Sequence, residues 1–396
     1  MNYPKIYLAI DNCFATKRWT RPQSWSKIIS ECGLSYVESS ADTECDMLYH
    51  SKDYLTDWQS ITQKCANEHG LCVASVYTGH GTYSTLGLTH TDERCRKRFL
   101  KEWLYPHIEN AANFGAIVGF FCHAFDTSVL QSADKYQKYV GILISQLQEV
   151  AKHCKKNGVI PSLEQMYTPN QYPWRITDAE YLIKSVSAAA PLYLTIDTGH
   201  QCGQKQFPMP TEETILSAIE NKTTVYVGCD EAYRVLDAAR NGNISKQKAV
   251  ADILDIASTT PHLFSQEEDS DTWEWIRRIG RYSPIIHLQQ TDNNSSSHKD
   301  FSDKNNAAGI ITGEKLITAL YESYSKAPEA DMPPSVDKIY LTLEMFYPTA
   351  EKNSNIVNSI KTSARYWRTF IPSDGMSLDE LYRNLKLIGR NNFEPQ

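Results

Sequence analysis

Residues 191–200 read PLYLTIDTGH, an apolar run that reaches Asp197 and then turns through Thr-Gly to His200. The run is short and unbroken, as expected of a parallel strand whose outer face is covered by helices. Three further stretches repeat the plan. VIPSLEQMY (159–167) carries Glu164, PIIHLQQTD (284–292) carries His287, and IYLTLEMFY (339–347) carries Glu344. In each, a group able to hold a metal stands where an apolar run meets a polar loop. A (β/α)8 barrel gathers its functional groups at such strand ends. Two glutamates, one aspartate and one histidine make a hard, oxygen-rich set suited to a divalent cation.

Working outward, four more strand-like runs precede these: IYLAIDN (6–12), YVESSAD (36–42), LCVASVYTG (71–79) and GAIVGFFCHAF (115–125). Helical patterns fill the gaps. KRFLKEWLYPHIENAANFG spaces its apolar residues helically and ends on Gly115, and Gly33 and Gly158 fall at helix ends just before strands. Thr177-Asp178-Ala179-Glu180 has the form of a capping box. Strand and helix alternating eight times predicts an α/β fold, a TIM barrel. The competing doubly wound sheet would place G-x-G-x-x-G after its first strand, and none is there. The expected organisation is a single barrel domain over residues 1–370 and a polar C-terminal tail over 371–396. Residues 201–283, between strands six and seven, hold two or three helical patterns and enlarge the sixth β/α unit.

The bulk numbers restrict function. Of 396 residues, 41% are apolar and 22% charged, ordinary for a folded chain, and the net charge is −7 with no basic run. That argues against nucleic acid as a partner. No apolar run approaches the roughly 18 residues of a spanning helix. The opening MNYPKIYLAIDN lacks a signal-peptide plan, so the expected location is the cytoplasm. Ten cysteines include no C-x-x-C pair, so they read as buried thiols.

Taken singly, each ligand candidate is as easily a rim carboxylate or a core histidine. As a set they differ, because three carboxylates brought to one buried end repel one another and take up protons unless a cation neutralises them.

With these residues in view, the chain resembles the xylose isomerase-like superfamily of sugar isomerases and epimerases, and is most similar to its divalent-metal ketose 3-epimerase branch. The resemblance rests on the glutamate of SLEQM, the IDTGH pair, the histidine of IIHLQQTD and the glutamate of LTLEMF, and spans nearly the whole barrel. It implies that Glu164, Asp197, His287 and Glu344 bind one divalent ion, Mn2+ first, with Mg2+, Co2+ and Zn2+ as alternatives. It further implies that Glu164 and Glu344 exchange the substrate proton, and that His200 contacts a substrate oxygen. The implied reaction is epimerisation or isomerisation of a ketose or ketose phosphate through a metal-stabilised enediolate. A lyase or dehydratase acting on a keto-sugar or keto-inositol is the alternative, because the same enolate precedes elimination. An apurinic-site endonuclease on this scaffold would need more histidines at strand ends. Implied assemblies are homodimers or homotetramers.

Two positions depart from the epimerase pattern. The branch has a further glutamate where this chain has Asn170, and an arginine where it has Asn293; both family residues touch substrate hydroxyls. HLQQTD and the opening IDNCFATKRW resemble bacterial tetrulose phosphate epimerases. Gln289 shares a strand face with His287 and is expected to reach substrate, with Asp292 at the mouth. His80 and His123 are further substrate-binding candidates, and Asp11, Asn12, Glu38 and Tyr77 are strand-end polar residues of the same rim. Lys17 and Arg18 read as a solvated pair.

Overall fold

A computed structural model describes residues 3–79 and 85–391. Eight parallel strands close into a barrel: β1 (Lys5–Asp11), β2 (Tyr36–Ser40), β3 (Cys72–Tyr77), β4 (Ile117–Phe120), β5 (Pro161–Glu164), β6 (Tyr193–Asp197), β7 (Ile285–Leu288) and β8 (Lys338–Leu343). Each pairs with the next, and β1 pairs with both β8 and β2, which closes the ring. The TIM barrel read from the sequence is therefore the fold.

Strand periodicity divides the barrel into two chemistries. On β1 the fully buried Ile6, Leu8 and Ile10 belong to the main apolar core, whereas Tyr7, Ala9 and Asp11 take the alternate positions. Inside the barrel, Ser162 Oγ lies 2.7 Å from Thr195 Oγ1, and Ser75 Oγ donates to Glu38 Oε2 at 2.6 Å. The strands look uniformly apolar in sequence because their inward small and aromatic residues interrupt the run so little.

Helix ends follow local chemistry. Gly115 and Gly158 end their helices in the left-handed conformation (φ +61° and +69°), as their positions in the sequence predict. The expected capping box does not form. The helix Ile176–Ser187 has no side-chain cap from its own Thr177, and Asp178 is instead paired with Arg175 at 2.7 Å. Its first amide donates to Asp269 Oδ1, 93 residues downstream, at 2.8 Å. In the stretch KRFLKEWLYPH, a π-turn over Leu100–Leu104 lies just before Pro106, where an unbroken α-helix would clash with the proline ring.

The enlarged sixth unit has two parts. Helices Glu212–Asn221, Asp230–Arg240 and Lys246–Thr259 enclose an apolar cluster of their own around Ile215, Leu236, Ile253 and Phe264. The following helix, Thr272–Ile279, belongs to the barrel wall, packed between Ile176–Ser187 and Gly313–Ser325. The stretch expected as a polar tail is structured through Asn391. Met376–Ser377 form a short strand, β9, antiparallel to β1, and the helix Leu378–Asn391 buries Leu378 and Leu381. Among the described residues, no helix is long and apolar enough to cross a membrane.

Candidate metal centre

The C-terminal ends of β5, β6, β7 and β8 bring Glu164, Asp197, His287 and Glu344 together. One possible ligand atom from each lies within 4.8 Å of the others, and all four residues are buried. Register explains the convergence. Asp197 and His287 are direct partners on β6 and β7, so their side chains share the inner face. Glu164 ends β5, and the Glu344 amide donates to Leu288 O at the end of β7.

Each of these side chains is oriented by a neighbour. His287 Nε2 lies 2.8 Å from Glu38 Oε1, across the barrel on β2, while Nδ1 lies 3.4 Å from Glu164 Oε1 and 3.2 Å from Glu344 Oε2. A carboxylate behind a histidine in this way fixes the ring and raises its strength as a ligand. Glu38 is itself held by Ser75, and both are fully buried. Asp197 Oδ1 accepts from Gly199 N (2.6 Å) and Gln289 Nε2 (2.7 Å). That leaves Asp197 Oδ2 fully buried and without a hydrogen bond. The Tyr77 hydroxyl donates to Glu164 Oε2 at 3.0 Å, and the Tyr77 ring packs 4.7 Å from that of His287. Gly119 makes room for this tyrosine, since a Cβ there would sit 2.0 Å from its ring.

A buried orphan carboxylate oxygen among three acids and an imidazole is costly unless something positive binds there. The donor set fits a divalent cation with hard-ligand preference. Without one, the groups share protons. Burial works to discharge His287, but Glu344, Glu38 and Glu164 overcome it and hold its pKa well above the ordinary range. Burial also opposes ionisation of Glu164, yet the His287 contact keeps that carboxyl below its usual value. Asp197 is pushed up, chiefly by burial.

The other expected site residues fall in different places. His200 Nδ1 donates to Gln165 O at 2.8 Å, which turns Nε2 toward the cluster, 4.0 Å from Asp197 Oδ2. Gln289 is fully buried, but its amide contacts protein groups: Asp197, Ser296 Oγ at 2.9 Å, and the His298 amide, which donates to Oε1 at 2.7 Å. Asp292 is partly exposed in the loop after β7, accepts from Asn294 N and lies 3.7 Å from Lys299. His123 is fully buried among the rings of Phe99, Trp103 and Phe121, and burial lowers its pKa to about 3. His80 lies outside the described residues.

Sequence reasoning assigned no site role to His298, which sits in the polar run 292–306. Its Nδ1 is 3.5 Å from Glu344 Oε2, and its ring stacks 4.2 Å from Phe346. Glu38 and Tyr77 were visible as strand-end polar residues, but nothing local in the sequence reveals that they face His287 and Glu164.

Known proteins share this frame. A family model described as xylose isomerase-like TIM barrel matches residues 27–325. The chain is 26% identical over 125 residues to a D-erythrulose 1-phosphate 3-epimerase of Brucella abortus, a match that spans 31% of this chain and 35% of that relative. A solved putative xylose isomerase from Rhodospirillum rubrum superposes with TM-score 0.67 at 15% identity, covering 92% of this chain and 99% of its own. An L-ribulose 3-epimerase structure does so with TM-score 0.54 at 14% identity, covering 97% and 98%. The family match runs from the first barrel helix almost to the last strand and takes in three of the four clustered residues, and the chain belongs to the xylose isomerase-like TIM barrel family.

Proposed function

We propose that the chain is a metal-dependent epimerase or isomerase of a ketose or ketose phosphate, with Glu164 and Glu344 exchanging the proton beside the carbonyl. The observation that carries this reading is the approach of two buried glutamates, from β5 and from the end of β8, to the same histidine nitrogen beside the orphan Asp197 oxygen. Glu164, Asp197, His287 and Glu344 would hold the ion, Mn2+ first. When bound, a divalent cation polarises the ketose carbonyl and stabilises the charge that develops on its oxygen.

The protein's own groups do the rest. Removing a proton beside a carbonyl needs a base within reach, and inversion needs an acid on the opposite face. The two glutamates are not equivalent. Tyr77 donates to Glu164 Oε2, so Oε1 is the oxygen left facing the cluster. His200 presents Nε2 beside Asp197, where it can meet a substrate oxygen. Burial of the whole cluster excludes water from a reactive intermediate and strengthens each electrostatic contact. The partial match to a 3-epimerase of a ketose phosphate supports the substrate class.

The deciding experiment strips the protein with a chelator, refills it with Mn2+ and incubates it in D2O with D-erythrulose 1-phosphate and a panel of free ketoses. The expected result is deuterium on the carbon beside the carbonyl in an isomeric product. Turnover without any deuterium would remove the proton-exchange mechanism, and a product that has lost water would establish elimination instead.

A further inference from the structure

We propose that His298 is a substrate-contacting residue: the loop after β7 carries its imidazole to the mouth of the metal cluster, where it hydrogen-bonds a hydroxyl or carbonyl oxygen of the ketose. This rests on the epimerase or isomerase reading above and adds to it a residue that selects among substrates.

The loop is built to place this ring. His298 sits in the left-handed region (φ +43°), a conformation that side-chain-bearing residues adopt at a cost, and Asn293 in the same loop does likewise (φ +69°). Gln289 holds the backbone there by accepting the His298 amide at 2.7 Å, while its Nε2 donates to Asp197 Oδ1 and Ser296 Oγ. The amide orientation is forced, because a carboxylate cannot donate and a peptide N–H cannot accept. Gly199 is what admits Gln289, since a Cβ at 199 would lie 2.3 Å from the Gln289 amide carbon. Gln290 anchors the far side of the loop. It donates to Asn306 Oδ1 and Ile311 O, accepts from Ile311 N, and lies against Gly309. The two adjacent glutamines thus tie one loop to the metal cluster and to its own base.

What the loop delivers is an imidazole with unspent hydrogen-bonding capacity. His298 Nδ1 makes no hydrogen bond, although Glu344 Oε2 lies 3.5 Å away. Nε2 faces Gln289 Nε2 at 3.4 Å, but both hydrogens of that amide are taken by shorter contacts. Potential ligand atoms of Asp197, His200 and His298 lie within 4.8 Å of one another, so two imidazoles border the carboxylate that would hold the cation. A ring placed for packing alone would need no such latch. Stacking on Phe346, which is 44% exposed, fixes its plane while leaving the mouth open.

Three variants separate this role from the alternatives. His298→Phe preserves the stack on Phe346 and removes both ring nitrogens, His298→Ala removes both features, and His298→Gln restores a donor and an acceptor. Each is measured with Mn2+ for metal affinity by calorimetry, for thermal stability, and for kcat and KM on every ketose that the parent deuterates. The expected result is a loss of about 10-fold or more in kcat/KM for both Phe and Ala, with partial rescue by Gln and unchanged Mn2+ affinity. The ratio of kcat/KM values between ketoses that the enzyme does not interconvert should also fall in the Phe and Ala variants. Full activity in His298→Phe would reduce the residue to packing, and weakened Mn2+ binding would make it a metal ligand; either overturns the proposal alone. A parent that deuterates no ketose would overturn the function reading and this inference with it.

Discussion

The two ends of the barrel interior are built from the same strands and do opposite things. At the N-terminal end, Tyr7, Tyr36 and Tyr340 on β1, β2 and β8 form a ring cluster with centroids 4.9, 5.3 and 5.7 Å apart. At the C-terminal end, the same inward positions of β2, β7 and β8, or the residues just past them, carry Glu38, His287 and Glu344. Along β8 the change takes four residues, from Tyr340 through Thr342 to Glu344. The tyrosines fill this end with their apolar ring bodies. The acids and histidine are packed so that Asp197 Oδ2 has no protein hydrogen-bond donor. One end packs rings and the other gathers acids and a histidine around a candidate site, in line with the division of roles between the two faces of this fold.

Glu344→Gln should break the functional end while sparing the fold. With general acid–base exchange at stake, kcat should fall about 10²- to 10⁴-fold. Thermal unfolding of the metal-free variant should shift little, because relief of repulsion among the crowded carboxylates is set against loss of the charge that holds His287 protonated. A large loss of metal-free stability would show that Glu344 supports the fold, and the division of the ends would collapse. Tyr340→Ala makes the reverse test. Truncating a half-buried aromatic in this cluster should cost about 3 kcal/mol in chemical denaturation. At temperatures where the variant stays folded, its kcat should remain near the parent value.

Glu38→Gln probes the boundary between the ends. Glu38 holds His287 from behind and is not among the clustered ligand candidates, so its loss should act through the histidine. Mn2+ affinity should weaken about 10- to 100-fold, read by titration calorimetry. Activity at saturating Mn2+ should recover most of the loss. No change in affinity would mean that Glu38 is a structural partner of Ser75 and nothing more.

Much of this division was legible in sequence, and the reasons are physical. The four cluster residues announce themselves because each ends an apolar run, and parallel strands in a barrel all point one way. The partners across the barrel do not, because no local pattern in YVESSAD says that β2 faces β7. His298 was hidden for a different cause. Its run of asparagines and serines has no periodicity, and its place is set by Gln289 and Gly199, which come from two other segments. The C-terminal helix was masked by composition. Leu378, Leu381, Tyr382 and Leu385 keep helical spacing, but the polar residues between them read as a tail. The failed capping box at Thr177 shows tertiary override: the helix starts before Thr177, at Ile176, whose amide donates to Asp269 of the insertion.

Buried histidines sharpen the comparison by the smallest effect. In the site, carboxylates overcome burial and hold His200 and His287 above the ordinary value. Away from it, burial alone lowers His107 to about 3, with Nε2 3.1 Å from Thr78 Oγ1. The unfolded chain binds a proton at His107 near the ordinary pKa of about 6.5, while the folded chain refuses it until the pH nears 3. Stability from this group is therefore fully present above the unfolded value and is lost as pH falls through the window between the two. The slope is about 1.4 kcal/mol per pH unit for one such histidine. His107→Gln should show a correspondingly shallower loss of denaturation free energy between about pH 5.5 and 4.5 than the parent. Identical slopes would mean that His107 takes up its proton in the folded chain as readily as in the unfolded one, and that burial does not set it apart from the histidines of the site.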